Sequence, residues 1–235
     1  MPDSVDIDKY IVPPRKEALA VNIAVQLKAL MFRKKLQAGD KLPSERDLSR
    51  LFNVSRVVIK QALLSLEHSG FIEIKLGTKG GAYVKFDFAK PVTNILEDLH
   101  KNGDLRISHF QVVRKSLECA ALQEIFDQAE AIDLSGLIDI NNAYGKPENR
   151  NRHSEINVAF HIALADISRN PLIKILISAI LEMVYNYAGT TLSDRFIKRA
   201  YDDHERIIQA IRDRDQALAE RLLIQNIDRV ESKKF

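Results

Sequence analysis

Residues 39–62 read GDKLPSERDLSRLFNVSRVVIKQA, and this stretch predicts a helix–turn–helix in which both helix starts are marked. Ser44 precedes two acidic residues, Glu45 and Asp47, so it has the position of an N-cap. Acidic residues in a first turn also suit the positive end of the helix dipole. Apolar residues then recur at helical spacing, and residues 44–52 are therefore expected to form one short helix.

A second helix is expected after the turn at residues 53–54, with Ser55 as its cap. Arg56 and Lys60 are four residues apart and therefore share an outer face of this helix. The residues predicted to face inward are all apolar: Val58, Ile59, Ala62, Leu63 and Leu66. Two short helices joined by a tight turn present the second one to a DNA major groove.

Two short runs rich in β-forming residues follow, at residues 71–74 and 82–86. Between them lies the sequence GTKGG at residues 77–81, which predicts a flexible and basic hairpin tip. A helix–turn–helix followed directly by such a hairpin indicates a winged helix. Its tip can enter a minor groove beside the recognition helix.

The pattern G-x-K-L-P-S-E-R-x-L, followed by V-S-R-x-x-x-x-x-A-L-x-x-L-x-x-x-G, resembles the DNA-binding domain of the GntR family of bacterial transcription regulators. The resemblance covers residues 17–86 and fixes many positions at fixed spacing. It implies double-stranded DNA as a partner. Eight residues are then candidates for contact with DNA: Ser44, Arg46, Ser55, Arg56, Lys60, Thr78, Lys79 and Gly80.

Arg56 is the first choice for reading a base, because arginine early in a recognition helix reaches guanine O6 and N7 together, worth about 1–3 kcal/mol of discrimination. Lys60 lies one turn further on, where the family usually has arginine, and a lysine cannot make the same forked contact. Arg46 is expected to contact a phosphate or a base edge. Glu45 is expected to orient Arg46 rather than touch DNA.

The whole chain has 235 residues, of which 46% are hydrophobic and 29% charged, as is typical of globular proteins. Its net charge of +3 is unevenly distributed. Residues 1–90 contain 16 Lys and Arg against 10 Asp and Glu, whereas residues 91–235 contain 19 against 22. The positive charge therefore coincides with the predicted winged helix, as binding to phosphates requires.

The N-terminal sequence MPDSVDIDKY lacks the apolar core of a signal peptide, and no apolar run approaches the roughly 20 residues that span a bilayer. The single Cys119 cannot form an intrachain disulfide. We therefore expect a cytoplasmic protein without a membrane partner.

Three regions are predicted: a flexible arm at residues 1–16, the winged helix at 17–88, and an all-helical domain at 89–235. The fold class is accordingly mainly α, with a small β-hairpin wing in the first domain and an antiparallel helical bundle in the second. Helices of the second domain are expected at residues 91–101, 107–130, 132–144, 150–168, 171–192, 194–213 and 214–232.

Polar residues in the helical half resemble the ligand-binding domain of the FadR subfamily. Asn157 and His161 lie on one helix face, and His204 and Asn226 follow on later helices. The wider landmarks of the resemblance are Arg114, Leu117, Glu118, Phe160, Asn170-Pro171-Leu172, Asp203, Ala217 and Leu222.

Many members of that subfamily bind a divalent metal through one aspartate and three histidines, which correspond here to Asn157, His161, His204 and Asn226. Two asparagines in this set remove a negative charge and a nitrogen ligand, so a zinc or nickel site is expected to be weakened. The alternative is that both histidines bond to each other, to water or to an organic ligand.

Arg114 lies on an otherwise apolar helix and has two possible roles. It can grip a carboxylate of an effector, or it can pair with Glu118 one turn away. The first role would make Arg114 part of an effector site together with the two histidines and the two asparagines.

Three functions remain open from the sequence. The first is a regulator that binds a palindromic operator as a homodimer, commonly as a repressor, and responds to a small effector such as an organic acid. The second is a helical metalloenzyme using His161 and His204, although no nucleophile or general base accompanies them. The third is a DNA-binding protein without an effector, against which the size of the second domain counts.

Overall fold

A computed structural model describes residues 17–77, 80–188 and 193–231. The chain divides into two compact units at the Lys90–Pro91 bond. Across the described residues, no helix has both the length and the apolar character needed to cross a membrane.

The first unit contains three helices followed by a β-hairpin. The helices are α1 (Glu17–Phe32), α2 (Glu45–Phe52) and α3 (Arg56–His68). The strands β1 (Ile72–Lys75) and β2 (Gly81–Val84) pair antiparallel, with Ile72 opposite Val84. The predicted winged helix–turn–helix is confirmed.

The caps at the start of α2 and α3 differ. The Asp47 backbone N–H donates to Ser44 Oγ at 3.2 Å, so Ser44 is a true side-chain cap of α2. Asn53 ends α2 in the left-handed conformation with φ of 50°, which turns the chain sharply. Ser55 has the N-cap position of α3, but its side chain makes no capping hydrogen bond.

The core of the first unit consists of the apolar faces of all three helices and the hairpin. In α3 the five predicted inward residues are all buried. In α1 one apolar face is buried, whereas Leu30 near the helix end is 40% exposed. The buried residues of α1 are Ala20, Ile23, Ala24, Leu27 and Met31.

The described part of the second unit is entirely helical. Its helices are α4 (Ala89–Lys101), α5 (Ile107–Phe126), α6 (Ser135–Tyr144), α7 (His153–Ile167), α8 (Pro171–Ala188), α9 (Asp194–Arg212) and α10 (Gln216–Glu231). A 3₁₀ helix at Pro147–Arg152 precedes α7, where the sequence predicted one continuous helix from residue 150.

One core fills the bundle between α5, α6, α7, α9 and α10. Its fully buried side chains include Leu122, Ile125, Leu137, Phe160, Leu164, Ile207 and Leu223. Charged and polar residues interrupt these apolar faces at one position along the bundle, and they form the candidate pocket described below.

Candidate DNA-binding surface and effector pocket

The outer face of the helix–turn–helix carries the predicted basic residues. Arg46, Arg56 and Lys60 are all exposed, as are Ser44 and Ser55 at the two helix starts. Arg46 and Lys60 form no ion pair with any residue that the structure describes, so both side chains can reach DNA. Packing of the opposite face of α3 fixes the direction of this surface.

Glu45 pairs with Arg56 rather than with Arg46, which corrects the sequence-based expectation. Glu45 Oε2 lies 3.3 Å from Arg56 Nη2. The pair joins the first residue of α2 to the first residue of α3. The turn between the helices brings these two positions together, whereas Arg46 projects from the next position of α2.

The wing tip is described only in part, because the predicted residues Thr78 and Lys79 lie outside the described residues. Gly80 follows them, and its backbone N–H donates to the Gly77 carbonyl at 2.9 Å. A Cβ atom at Gly80 would lie 2.4 Å from the Lys75 carbonyl oxygen. Only glycine fits this close approach.

Ionisable side chains lie together inside the helical unit. Arg114 and Glu118 of α5, His161 of α7 and His204 of α9 have at most 1% of their surfaces exposed. Such burial requires partners, because an unpaired charge in an apolar core is very costly. We call these four residues and Asn157 and Asn226 the polar cluster.

Glu118 connects two members of the polar cluster. Its Oε1 accepts from Arg114 Nε at 2.6 Å, and its Oε2 accepts from His161 Nδ1 at 2.6 Å. Both alternatives for Arg114 therefore remain compatible with the structure. Its Nε pairs with Glu118, while its Nη2 has no hydrogen-bond partner among the described residues.

The tautomers of both histidines follow from their Nδ1 partners. His161 Nδ1 must carry the proton that it donates to the Glu118 carboxylate, and His204 Nδ1 donates to Asn141 Oδ1 at 3.1 Å. The two Nε2 atoms consequently present lone pairs. The rings lie 5.6 Å apart and nearly perpendicular, and Phe160 stacks on His204 at 3.7 Å.

Burial keeps both imidazoles neutral. It lowers the pKa of His161, an effect that Glu118 opposes and Arg114 reinforces. Burial, together with His161 and Arg114, lowers the pKa of His204 still further. Burial alone would raise the pKa of Glu118, but His161 and Arg114 outweigh it and hold that pKa at about 2. The cluster therefore contains one cation, one anion and two neutral imidazoles at pH 7.

Several buried polar atoms around this cluster have no hydrogen-bond partner among the described residues. They are Arg114 Nη2, Tyr144 OH, Asn157 Oδ1, His161 Nε2, His204 Nε2 and Asn226 Oδ1. Buried polar groups in folded proteins are nearly always satisfied, so such a concentration indicates a place for water or a ligand. The structure therefore places all five predicted effector residues at or beside one site.

The donor set suits a cation. The four predicted metal positions each offer an acceptor, as two imidazole Nε2 atoms and two amide oxygens, and each imidazole is oriented by a second residue through Nδ1. All four ligands are uncharged, however, so they bind zinc or nickel more weakly than a carboxylate-containing set. Within the described residues, His, Cys, Asp and Glu nowhere form a cluster of three or more suited to a metal.

The sequence left several neighbours of this site unassigned. Asn141 and Tyr144 of α6 face His204. His153 is 5% exposed, and its ring lies 5.0 Å from that of Tyr144. A polar residue on an apolar helix face is the only signal for Asn141.

A winged helix and a helical bundle with a buried polar site define a transcription regulator with a sensor domain. Comparison with known families agrees. The bacterial regulatory proteins of the gntR family match residues 19–84, and the FCD domain matches residues 110–229. The chain belongs to the GntR family of transcription regulators and carries an FCD effector-binding domain.

Characterised relatives are regulators as well. The HTH-type transcriptional regulator LutR of Bacillus subtilis is 32% identical over 207 residues, covering 83% of this chain and 92% of LutR. The HTH-type transcriptional repressor NanR of Citrobacter rodentium is 29% identical over 231 residues, covering 93% and 86%. These relatives favour the regulator over the metalloenzyme interpretation.

Among solved structures, a GntR protein of Streptococcus agalactiae has a TM-score of 0.65 and 20% identity. The alignment covers 91% of this chain and 99% of that chain. It supports the fold.

Proposed function

We propose that this regulator is a repressor that binds a palindromic operator as a homodimer and is released by a small organic acid. The exposed basic face of α3 supports binding to an operator. A homodimer with two-fold symmetry presents two such faces, which match the two half-sites of a palindrome. The relative named as a repressor, NanR, supports the direction of control.

In the proposed complex, Arg56 reads guanine in the major groove, and Lys60 adds a single-point contact one turn further along α3. Arg46, which lies on α2, contacts a phosphate or a base edge, and Ser44 and Ser55 position the two helix starts on the DNA backbone. Thr78, Lys79 and Gly80 would place the wing tip at the minor groove. The roles of the residues at α2 and α3 rest on their exposure, on the fixed inner face of α3 and on the family, and those of the wing tip rest on the family.

The effector site in this proposal is the polar cluster. The single observation that carries it is the set of buried, unpartnered atoms around His161 and His204. A zinc or nickel ion would be held by those two Nε2 atoms and by Asn157 and Asn226. When bound, it would supply a Lewis-acidic centre for a carboxylate. Arg114 Nη2 would then donate to the same carboxylate.

Control of DNA affinity follows from coupling between the two units. The effector binds more tightly to the protein conformation that releases DNA than to the conformation that binds DNA. It therefore shifts the equilibrium toward release, by an amount set by the difference between its two binding free energies. Typical couplings of 1–3 kcal/mol correspond to about 5-fold to 150-fold in operator affinity. Along the chain, the boundary between the two units falls within the first turn of α4, between Lys90 and Pro91.

The metal part of the proposal is tested by titrating chelator-treated protein with zinc and nickel by calorimetry, with His161→Ala alongside. The wild type is expected to bind one equivalent per chain, and the variant to bind none. No binding to the wild type, or equal binding to both, would eliminate the metal. In that case a ligand would have to be held by Arg114 and the histidines directly.

A further inference from the structure

A second pocket lies at one side of the polar cluster, between α9 and α10. It measures about 70 Å³, and its charged lining residues are Arg195, Arg199, Asp203 and Arg229. Three guanidinium groups and one carboxylate give this small pocket a net charge of +2. We call it the arginine pocket.

Asn226 connects the arginine pocket to the polar cluster. Its side chain lines the arginine pocket and also lies beside His161. It is 3% exposed, and its amide oxygen has no hydrogen-bond partner among the described residues. Asn226 is therefore shared between the polar cluster and the arginine pocket.

The arginines of the pocket are differently engaged. Arg229 Nη1 donates to a carboxylate oxygen of Asp203, which fixes the Arg229 side chain and neutralises one charge. Arg195 and Arg199 lie one turn apart on α9, are exposed, and pair with no residue in the part of the chain that the structure describes. Their ten N–H groups are available to an anion.

We propose that the arginine pocket binds a second anionic group of the effector, so that the effector is a small acid with two anionic groups. This inference rests on the proposed function, in which the polar cluster holds the first carboxylate. A pocket of about 70 Å³ has room for one carboxylate or phosphate group. A net charge of +2 balances a phosphate dianion, and it attracts a carboxylate as well.

Inorganic phosphate and acetate, titrated separately into the full chain by calorimetry at low salt, test the arginine pocket without knowledge of the effector. Phosphate is expected to bind the wild type, and the Arg195→Ala/Arg199→Ala variant is expected to bind it at least about fivefold more weakly. The matched Arg206→Ala/Arg221→Ala variant removes two exposed arginines of the same helices that lie outside the pocket, and it is expected to bind phosphate like the wild type.

Equal phosphate affinity in the two double variants, or no binding of either anion to the wild type, would overturn the proposal. A preference for phosphate over acetate would indicate a phosphorylated acid, and equal affinities a dicarboxylate. His161→Ala should leave phosphate binding intact, since His161 lies on the other side of Asn226. A failure of the arginine pocket is therefore distinguishable from a failure of the effector site at His161.

Discussion

Glu118 accepts a hydrogen bond from His161 at 2.6 Å in the centre of the helical unit, with both side chains at most 1% exposed. The same carboxylate neutralises Arg114 one helical turn away. One residue of α5 thus fixes the tautomer of a histidine on α7 and compensates the only cation of the polar cluster. The proposed effector site depends on it.

Removal of the Glu118 carboxylate is expected to destabilise the helical unit strongly. Glu118→Ala leaves Arg114 as an uncompensated buried charge, which costs about 3–5 kcal/mol. Urea denaturation followed by far-UV circular dichroism measures this loss. The matched control is Glu155→Ala, which removes an exposed partner of Arg152 in the same unit and is expected to change stability far less. Similar losses in both variants would show that the buried pair is not a structural requirement.

The helical unit is expected to lose stability as the pH falls below about 6.5, the ordinary histidine pKa. Burial lowers the pKa of His204 in the folded state. At a pH between this lowered pKa and 6.5, the histidine takes up a proton in the unfolded chain but not in the folded one, and this favours unfolding. The loss approaches about 1.4 kcal/mol per pH unit for a fully neutral buried histidine. Denaturation midpoints at pH 7.5 and 5.5, measured with chelator present, should differ less for His204→Phe. An unchanged pH dependence in the variant would contradict burial of a neutral imidazole.

The two cap serines provide a matched pair in the winged helix. Ser44→Ala removes a capping hydrogen bond to Asp47 and is expected to cost about 1 kcal/mol. Ser55→Ala removes no such bond and is expected to lower the stability by only about a few tenths of a kcal/mol. Thermal denaturation of the two variants compares them directly. A larger loss for Ser55→Ala would mean that the described cap geometry is wrong.

The Glu45–Arg56 pair is expected to affect DNA binding more than stability. The Arg56 side chain is 68% exposed and that of Glu45 is 39% exposed, so their ion pair contributes little to folding. Arg56→Ala should weaken operator binding by about 1–3 kcal/mol and relax specificity at one base pair. Glu45→Gln removes the orienting charge and should reduce discrimination at the same base pair. Anisotropy titrations with single-base operator variants measure both effects, and uniform weakening across all variants would instead assign Arg56 to a phosphate.

The sequence predicted most of the helix–turn–helix because its signals are local. Ser44, the acidic first turn of α2 and the apolar spacing of α3 lie within 24 residues. It failed on the partner of Glu45, since neighbours in the chain do not reveal which side chains meet across a turn.

The polar cluster was only partly predictable. His161 and His204 came from the family resemblance, and the Arg114–Glu118 pair was one of two readings of helical spacing. The contact between Asn141 and His204 joins residues 63 positions apart, so no local pattern indicates it. Burial of His153 likewise depends on packing against Tyr144, which only the folded bundle shows.

The most direct test of the central claim is operator affinity in the presence of small acids. An operator is first selected from random DNA with the full chain, and its binding is then followed by anisotropy while a panel of mono- and dicarboxylic and phosphorylated acids is added with zinc or nickel. We predict that at least one acid weakens wild-type binding by about 5-fold to 150-fold and leaves His161→Ala on the operator. An acid that releases both proteins equally, or a panel that releases neither, would contradict the proposal that the polar cluster controls DNA binding.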